Sequence, residues 1–82
     1  MNKQRREELL EVIDLLDDAA NRLSEIRDDE QDALDSMPEG LQASSRGDAM
    51  QEAIDKMDEF GDAIMSLQNS IEQFAKPKKK KK

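Results

Sequence analysis

The chain of 82 residues contains no cysteine, histidine, tryptophan or tyrosine. Without cysteine no disulfide can form, and without histidine the common transition-metal sites lack their usual ligand. Nucleophilic triads that need histidine or a thiol are excluded for the same reason. The glycines, which number three, form neither a Walker loop nor a dinucleotide-binding fingerprint. We therefore expect no cofactor, no metal and no small-molecule substrate.

Long hydrophobic runs and aromatic side chains are also scarce. No stretch approaches the roughly 18 consecutive apolar residues of a transmembrane helix. The absence of cysteine suits a reducing compartment, so we expect a cytoplasmic protein. Phe60 and Phe74 are the two aromatic residues. Because bases stack on aromatic side chains, so few aromatics argue against a single-stranded nucleic-acid platform.

Charge is divided unevenly along the chain. The sequence has 20 acidic and 13 basic residues, and six of the basic ones stand at its end: Lys76, Lys78, Lys79, Lys80, Lys81 and Lys82. An acidic body favours basic partners, whereas a lysine run attracts polyanions such as nucleic acid or an anionic membrane. Composition predicts that residues 76–82 form a disordered tail. The lysines are its candidate polyanion-binding residues, although a solubilising or engineered end is the plainer interpretation.

Apolar residues recur at alternating steps of three and four in two long segments. The first series is Leu9, Val12, Leu16, Ala19, Leu23, Ile26, Ala33 and Met37, with Glu30 at one position, and the second is Met50, Ala53, Met57, Phe60, Ile64, Leu67, Ile71 and Phe74. This spacing keeps one apolar stripe on one face of a helix. It predicts two amphipathic helices that pack along these stripes.

Proline and glycine separate the two segments. Pro38 disfavours helix at the preceding residue, so we predict a first helix over 2–36, a turn over 37–44 and a second helix over 45–75. Ser45 and Asp48 have the spacing of a capping box, and Leu41 is expected to cover the end of the core. Long helices joined by so short a turn must be antiparallel, and matching their two apolar series pairs Leu23 with Ile64. The predicted fold is an all-α coiled-coil hairpin over residues 1–75.

The apolar surface of the first helix is wider than one stripe. Leu10, Ile13 and Leu15 extend it to more than half of the helix circumference, whereas a two-helix seam needs only two positions in seven. We therefore predict a homodimer packed as a four-helix bundle, with a different protein partner as the alternative. The expected core and interface residues are Leu9, Leu10, Val12, Ile13, Leu15, Leu16, Leu23, Ile26, Met57, Phe60, Ile64, Leu67, Ile71 and Phe74.

Pairs of carboxylates raise an enzymatic alternative. All-α nucleoside-triphosphate pyrophosphatases of the MazG type hold magnesium with Glu-x-x-Glu and Glu-x-x-Asp pairs, which resemble Glu8/Glu11, Glu25/Asp28 and Glu59/Asp62 here. The predicted helix seams place the last two pairs on the outer face, whereas magnesium ligands in a bundle face inward. With 20 acidic residues such strings also arise by chance. We expect no enzyme.

The turn carries a family resemblance. Its residues Pro38, Glu39, Leu41, Gln42, Ser45, Arg46 and Gly47, followed by Ala53, Ile54 and Asp55, resemble short uncharacterised helical-hairpin proteins of phages and their bacterial hosts. Those proteins share a Pro-Glu-x-Leu-Gln turn and then Ser-x-Arg-Gly. The resemblance implies a phage context and brings no activity with it.

These observations together predict a non-enzymatic, acidic interaction module. It would present carboxylates and the turn to another protein, and in a phage context it would inhibit a host nucleic-acid-binding or defence protein by mimicking phosphate charge. The candidate partner-binding residues are Asp14, Asp17, Asp18, Asp28, Asp58, Glu59, Asp62, Glu39 and Arg46. A dimeric tether that holds polyanions through its lysine tails is a further alternative.

Overall fold

The computed structural model describes residues 1–76 and contains three helices in this part of the chain. They are α1 (Lys3–Asp35), α2 (Glu39–Gln42) and α3 (Ser45–Ala75). The all-α prediction is confirmed, since the described residues contain no strand. The two long helices lie side by side in an elongated body of 62 × 22 × 15 Å. None of the described helices has the length and apolar character needed to cross a bilayer.

Local signals set the ends of α1. The side chain of Asn2 accepts a hydrogen bond of 2.8 Å from the backbone N–H of Arg5, which satisfies one of the free donors of the first turn. No glycine or proline interrupts the following 33 residues. The helix ends at Asp35, shortly before Pro38, whose ring disfavours helix in the residue before it. Its bounds therefore lie one residue inside the predicted 2–36 at each end.

The connection is a compact tip built around α2. The Gln42 side chain donates hydrogen bonds of 3.1 and 3.0 Å to the carbonyls of Leu34, in the last turn of α1, and of Met37, just after that helix. Ser44, and not Ser45, is the N-cap of α3, because its hydroxyl accepts from the N–H of Gly47. Leu41 is half exposed and covers the core end only in part.

The seam between α1 and α3 uses only half of each predicted stripe. One half of the predicted seam is partly buried as expected: positions 9, 16, 23 and 30 of α1, position 37 just after it, and positions 50, 57, 64 and 71 of α3. The other half of each seam is displaced by one residue, to Ile13, Ala20, Arg27 and Leu34 on α1 and to Ile54, Gly61, Gln68 and Ala75 on α3. The prediction that Ile26, Phe60, Leu67 and Phe74 lie in this seam is therefore wrong, because all four are exposed.

The displacement buries larger side chains at two positions close to the tip. In a two-helix hairpin each helix can bury two adjacent stripes but not three. The observed choice buries Leu34 and Ile54 in place of alanines, and Ile54 is only 1% exposed. Ala20 and Gly61, whose side chains are small, line a shallow cavity beside the seam. Within residues 1–76 the buried apolar side chains are Leu34, Ile54 and Ala75, so the core is thin.

The pairing of the two helices is also shifted from the expected one. Gln68 on α3 lies beside Ile13 and Asp17, whereas a pairing of Leu23 with Ile64 would place it opposite Ala19. The cause is the position of the tip. The chain reverses direction around α2, about two residues earlier than a pairing of Leu23 with Ile64 requires. Residues of α3 therefore contact α1 at positions nearer to its start.

Candidate protein-binding surfaces

Antiparallel packing gives the hairpin two broad faces of different chemistry. In two antiparallel helices of the same hand, the residues immediately before the seam positions turn to one common side. Ala33 and Arg46, which precede the seam residues Leu34 and Gly47, accordingly line the same shallow cavity. We call this side the apolar face and the opposite side the acidic face.

The apolar face collects large exposed side chains from both helices. Phe60 is 53% exposed, and Leu15 and Phe74 are each 66% exposed. The full set along this face is Val12, Leu15, Ala19, Ile26 and Ala33 on α1 and Ala53, Phe60, Leu67 and Phe74 on α3. Exposed apolar patches of this kind are a common feature of protein interaction sites.

Leu10, Ile13 and Leu15 widen the apolar surface of α1 and were the reason to predict a dimer. Only one of the three is exposed on the apolar face. Leu15 is exposed there, whereas Leu10 and Ile13 are half buried against α3. Leu10 lies on the other side of the seam, where it lines a cavity with Ala75 and Lys76. The exposed apolar surface, which the sequence placed mainly on the first helix, is thus shared by both helices.

The acidic face carries carboxylates from both helices around two shallow cavities. Asp58 and Asp62 line one of about 340 Å³, and Asp17 and Glu72 line the next, of about 400 Å³. Met65 borders both cavities and is 63% exposed. The seven-residue repeat adds Asp14 and Asp28 to this side of α1, each exposed. Five of the predicted partner-binding residues are therefore brought together.

The remaining predicted residues are dispersed. Asp18 and Glu59 are exposed on the sides of their helices that face away from the seam. Glu39 begins α2 at the tip, and Arg46 lies beside Leu41 at the apolar end of the same tip. A single partner surface that covers all nine candidates would have to wrap around the hairpin.

An ion pair crosses between the helices on the acidic face. Arg27 Nε donates to Asp58 Oδ1 at 3.0 Å, and a second guanidinium nitrogen lies 3.5 Å from Asp58 Oδ2. The hydrogen bond to Asp58 raises the pKa of Arg27, although partial burial opposes the rise. Asp28, 3.5 Å from the same guanidinium, adds to it. The contact fixes the position of Asp58 and joins the two helices.

Sequence reasoning did not identify the interhelical roles of Arg27 and Gln68. Gln68 Nε2 donates to the Ile13 carbonyl at 3.0 Å and to Asp17 Oδ1 at 2.7 Å, and so it holds one of the carboxylates of the acidic face. The sequence did contain a signal for these roles. A second series that repeats every seven residues passes through position 13 on α1 and position 54 on α3. That series was less apolar than the one beside it, because it includes these two polar residues.

The carboxylate pairs proposed to hold magnesium do not converge. Glu25 pairs with Arg22 at 3.4 Å, and Glu59 pairs with Lys56 at 3.6 Å, each within its own helix. Asp28 pairs with Arg27. Within residues 1–76, no three acidic side chains are grouped so that they could hold a metal ion.

Of the lysines predicted to bind polyanions, only Lys76 is among the described residues. Its ammonium group lies 2.9 Å from a carboxylate oxygen of Glu72, one turn earlier in α3. Lys78, Lys79, Lys80, Lys81 and Lys82 lie outside the described residues. Their proposed role stays a prediction.

Comparison of the chain with known protein families, with curated proteins and with solved structures found no significant match. The resemblance of the turn to short phage proteins therefore stays a hypothesis. The two faces described above are the surfaces through which a function can be proposed.

Proposed function

We propose that the protein is a non-enzymatic helical-hairpin module that binds a basic protein surface through its acidic face. The observation that supports this function is the segregation of side chains across the hairpin. Asp14, Asp17, Asp28, Asp58 and Asp62 share one side, while most of the large exposed apolar residues of the two long helices share the other, with Met65 as the exception. Arg27, the cation nearest to the middle of the acidic face, is already paired.

Electrostatics suits this surface to a partner that normally binds nucleic acid. Rows of fixed carboxylates attract the lysines and arginines that otherwise contact phosphates, and they raise the rate of encounter with such a partner. Asp17 and Asp58 are held in place by contacts to the opposite helix, which lowers the entropy lost on binding. In the phage context implied by the turn, the partner would be a host nucleic-acid-binding or defence protein, and the module its inhibitor.

We further propose that the working form is a homodimer packed as a four-helix bundle. Three buried apolar side chains among the described residues make a small core for a chain of this length, and a second copy would add the missing burial. The acidic faces of both copies would stay outward and available to partners.

The proposal is tested by affinity capture from the natural host, followed by binding measurements with the captured protein after purification. The triple variant Asp14→Asn, Asp28→Asn, Asp62→Asn removes charge from the acidic face. The matched control Asp18→Asn, Glu52→Gln, Glu59→Gln removes the same charge from the sides opposite the seam.

We expect the acidic-face variant to weaken binding by about tenfold or more, because charge pairs across an interface contribute strongly when close. The control should change it little, and the affinity of the unmodified protein should fall as salt rises. Equal losses in the two variants, or an affinity that salt does not change, would contradict a role for the acidic face.

A further inference from the structure

The apolar face leaves one complete stripe of each long helix without a partner. On α1 the stripes through Leu16 and Ala20 form the seam with α3. A third stripe, through Val12 and Ile26, faces outward. On α3 the third stripe runs through Phe60 and Leu67. Three adjacent apolar stripes per helix are typical of a helix that packs against two neighbours, as in a four-helix bundle.

The two halves of this face differ in side-chain size. The stripe on α1 alternates between small and larger residues and contains Ala19 and Ala33, whereas the stripe on α3 contains Phe60, Leu67 and Phe74. In a dimer, the half of the face with small residues in one copy can pack against the half with bulky residues in the other copy. Alternation of large and small residues across a contact is what fills a core without voids.

A two-fold axis along the bundle performs this exchange. It lays α1 of one copy over α3 of the other and keeps these helices antiparallel, as they are within the hairpin. If the pairing within the hairpin, in which Arg27 meets Asp58, is repeated between copies, Ala19 faces Leu67 of the partner subunit. Ile26 then faces the partner's Phe60. The alternative axis, perpendicular to the bundle, sets α3 on α3 and forces the bulky side chains against each other.

Area and charge both favour a second copy. The face is as long as α1, about 50 Å, and about 20 Å wide across two helices, so it offers on the order of 1,000 Å² per copy. A standard interface needs about 800 Å² per partner. Residues at the edges of the face have both signs: in the exchanged arrangement Asp29 lies near Lys56 of the partner subunit. The acidic faces of the two copies point away from each other.

We propose that a second copy of this chain occupies the apolar face, with α1 of each copy on α3 of the other and both tips at the same end of the bundle. The contact is centred on Phe60, Leu67 and Ile26, not on Leu10 and Ile13 of the first helix. It uses the side of the hairpin opposite the acidic face and does not depend on what that face binds.

Sedimentation of the full chain tests the face. The unmodified protein should be a dimer at micromolar concentration, and Phe60→Glu with Leu67→Glu should raise its dissociation constant at least about 100-fold, since burial of charge in an interface is costly. Met65→Glu is the matched control, because Met65 is as exposed as these residues but lies on the acidic face. Circular dichroism checks helicity, and Phe60→Ala with Leu67→Ala replaces the charged variant if that variant unfolds.

The face assignment is overturned if the unmodified protein is monomeric throughout, or if Met65→Glu dissociates it as strongly as the pair on the apolar face does. These outcomes leave the acidic-face proposal intact, since a monomer can still bind a basic partner. Conversely, a dimer in which the acidic-face variant binds that partner normally contradicts the proposed function and not the dimer.

A spin label tests the orientation. The chain has no cysteine, so Gly40→Cys gives a single labelling site at the tip, and a side chain there meets no neighbour. With both tips at one end, we expect a distance of about 20–30 Å between labels, from two adjacent helix layers plus the label arms. A distance close to the full length of the body, 62 Å, would place the tips at opposite ends and overturn this arrangement.

Discussion

Gly47, in the first turn of α3, lies directly against the backbone of Gln42, the last residue of α2. A Cβ atom at position 47 would lie 2.8 Å from the Gln42 Cα and closer still to its carbonyl group. The side chain of Gln42 meanwhile donates to the carbonyl of Leu34, in the last turn of α1, and to that of Met37, just after it. Gln42 therefore connects α1, α2 and α3 at the tip, and its backbone leaves no space for a side chain at Gly47.

Gly47→Ala should lower the free energy of unfolding by about 1–3 kcal/mol, because the added methyl group must displace backbone atoms. Urea unfolding followed by circular dichroism measures the change. Gly40→Ala is the control, since a Cβ there meets nothing within 4 Å. Its effect should be within about 0.5 kcal/mol. Equal effects at the two glycines would show that the tip is looser than described.

Gln68→Ala should destabilise the hairpin by about 1–2 kcal/mol, because two interhelical hydrogen bonds are lost and the Ile13 carbonyl loses its side-chain donor. Gln51→Ala provides the comparison. Gln51 bonds only to Asp55, one turn away on the same exposed helix surface. The assigned pairing of α1 with α3 is wrong if the two variants unfold at the same urea concentration.

Ile54→Ala should cost about 2–4 kcal/mol, because this side chain is almost fully buried and its truncation leaves a cavity. Met65→Ala, an exposed position on the same helix, should cost less than about 0.5 kcal/mol. Thermal unfolding at one fixed protein concentration makes the comparison valid for a chain that dimerises. If Phe60→Ala were as harmful as Ile54→Ala in a monomeric variant, the predicted seam and not the observed one would be present in solution.

Magnesium-dependent hydrolysis of nucleoside triphosphates should be undetectable. The carboxylates of the candidate pairs are exposed, and three of them, Glu25, Asp28 and Glu59, are paired with neighbouring cations. Phosphate release is the measurement, with Glu25→Ala, Asp28→Ala as the control for any contaminating activity. Hydrolysis that the unmodified protein performs and this variant loses would restore the pyrophosphatase hypothesis.

Deletion of residues 77–82 should remove weak binding to DNA or to anionic vesicles, because it takes away five of the 13 basic groups. Helicity and dimerisation should stay unchanged. Binding in the full chain should weaken steeply as salt rises, and vesicles compared with DNA distinguish the two polyanions. Binding that survives the deletion would locate the polyanion site elsewhere.

The sequence by itself determined the helices and their ends. Helix formation depends on residues within a few positions of one another, so apolar spacing, the break at Pro38 and the short polar residues at the caps were sufficient. They also determined that the two long helices are antiparallel, because the connection is too short for any other arrangement. The excess of apolar residues on the first helix also predicts a further partner, and that stays a prediction.

Only the tertiary structure decided which stripes meet. Two apolar series one residue apart compete for the same seam, and the more hydrophobic one, with Phe60 and Leu67, stayed outside. The choice depends on how Ile54 and Leu34 fit across the interface and on the position of the tip, which are contacts between residues far apart in the chain. The same rotation carried Arg27 and Gln68 into contact with the carboxylates of the opposite helix. No local pattern contains that information, because each helix alone presents both series equally well.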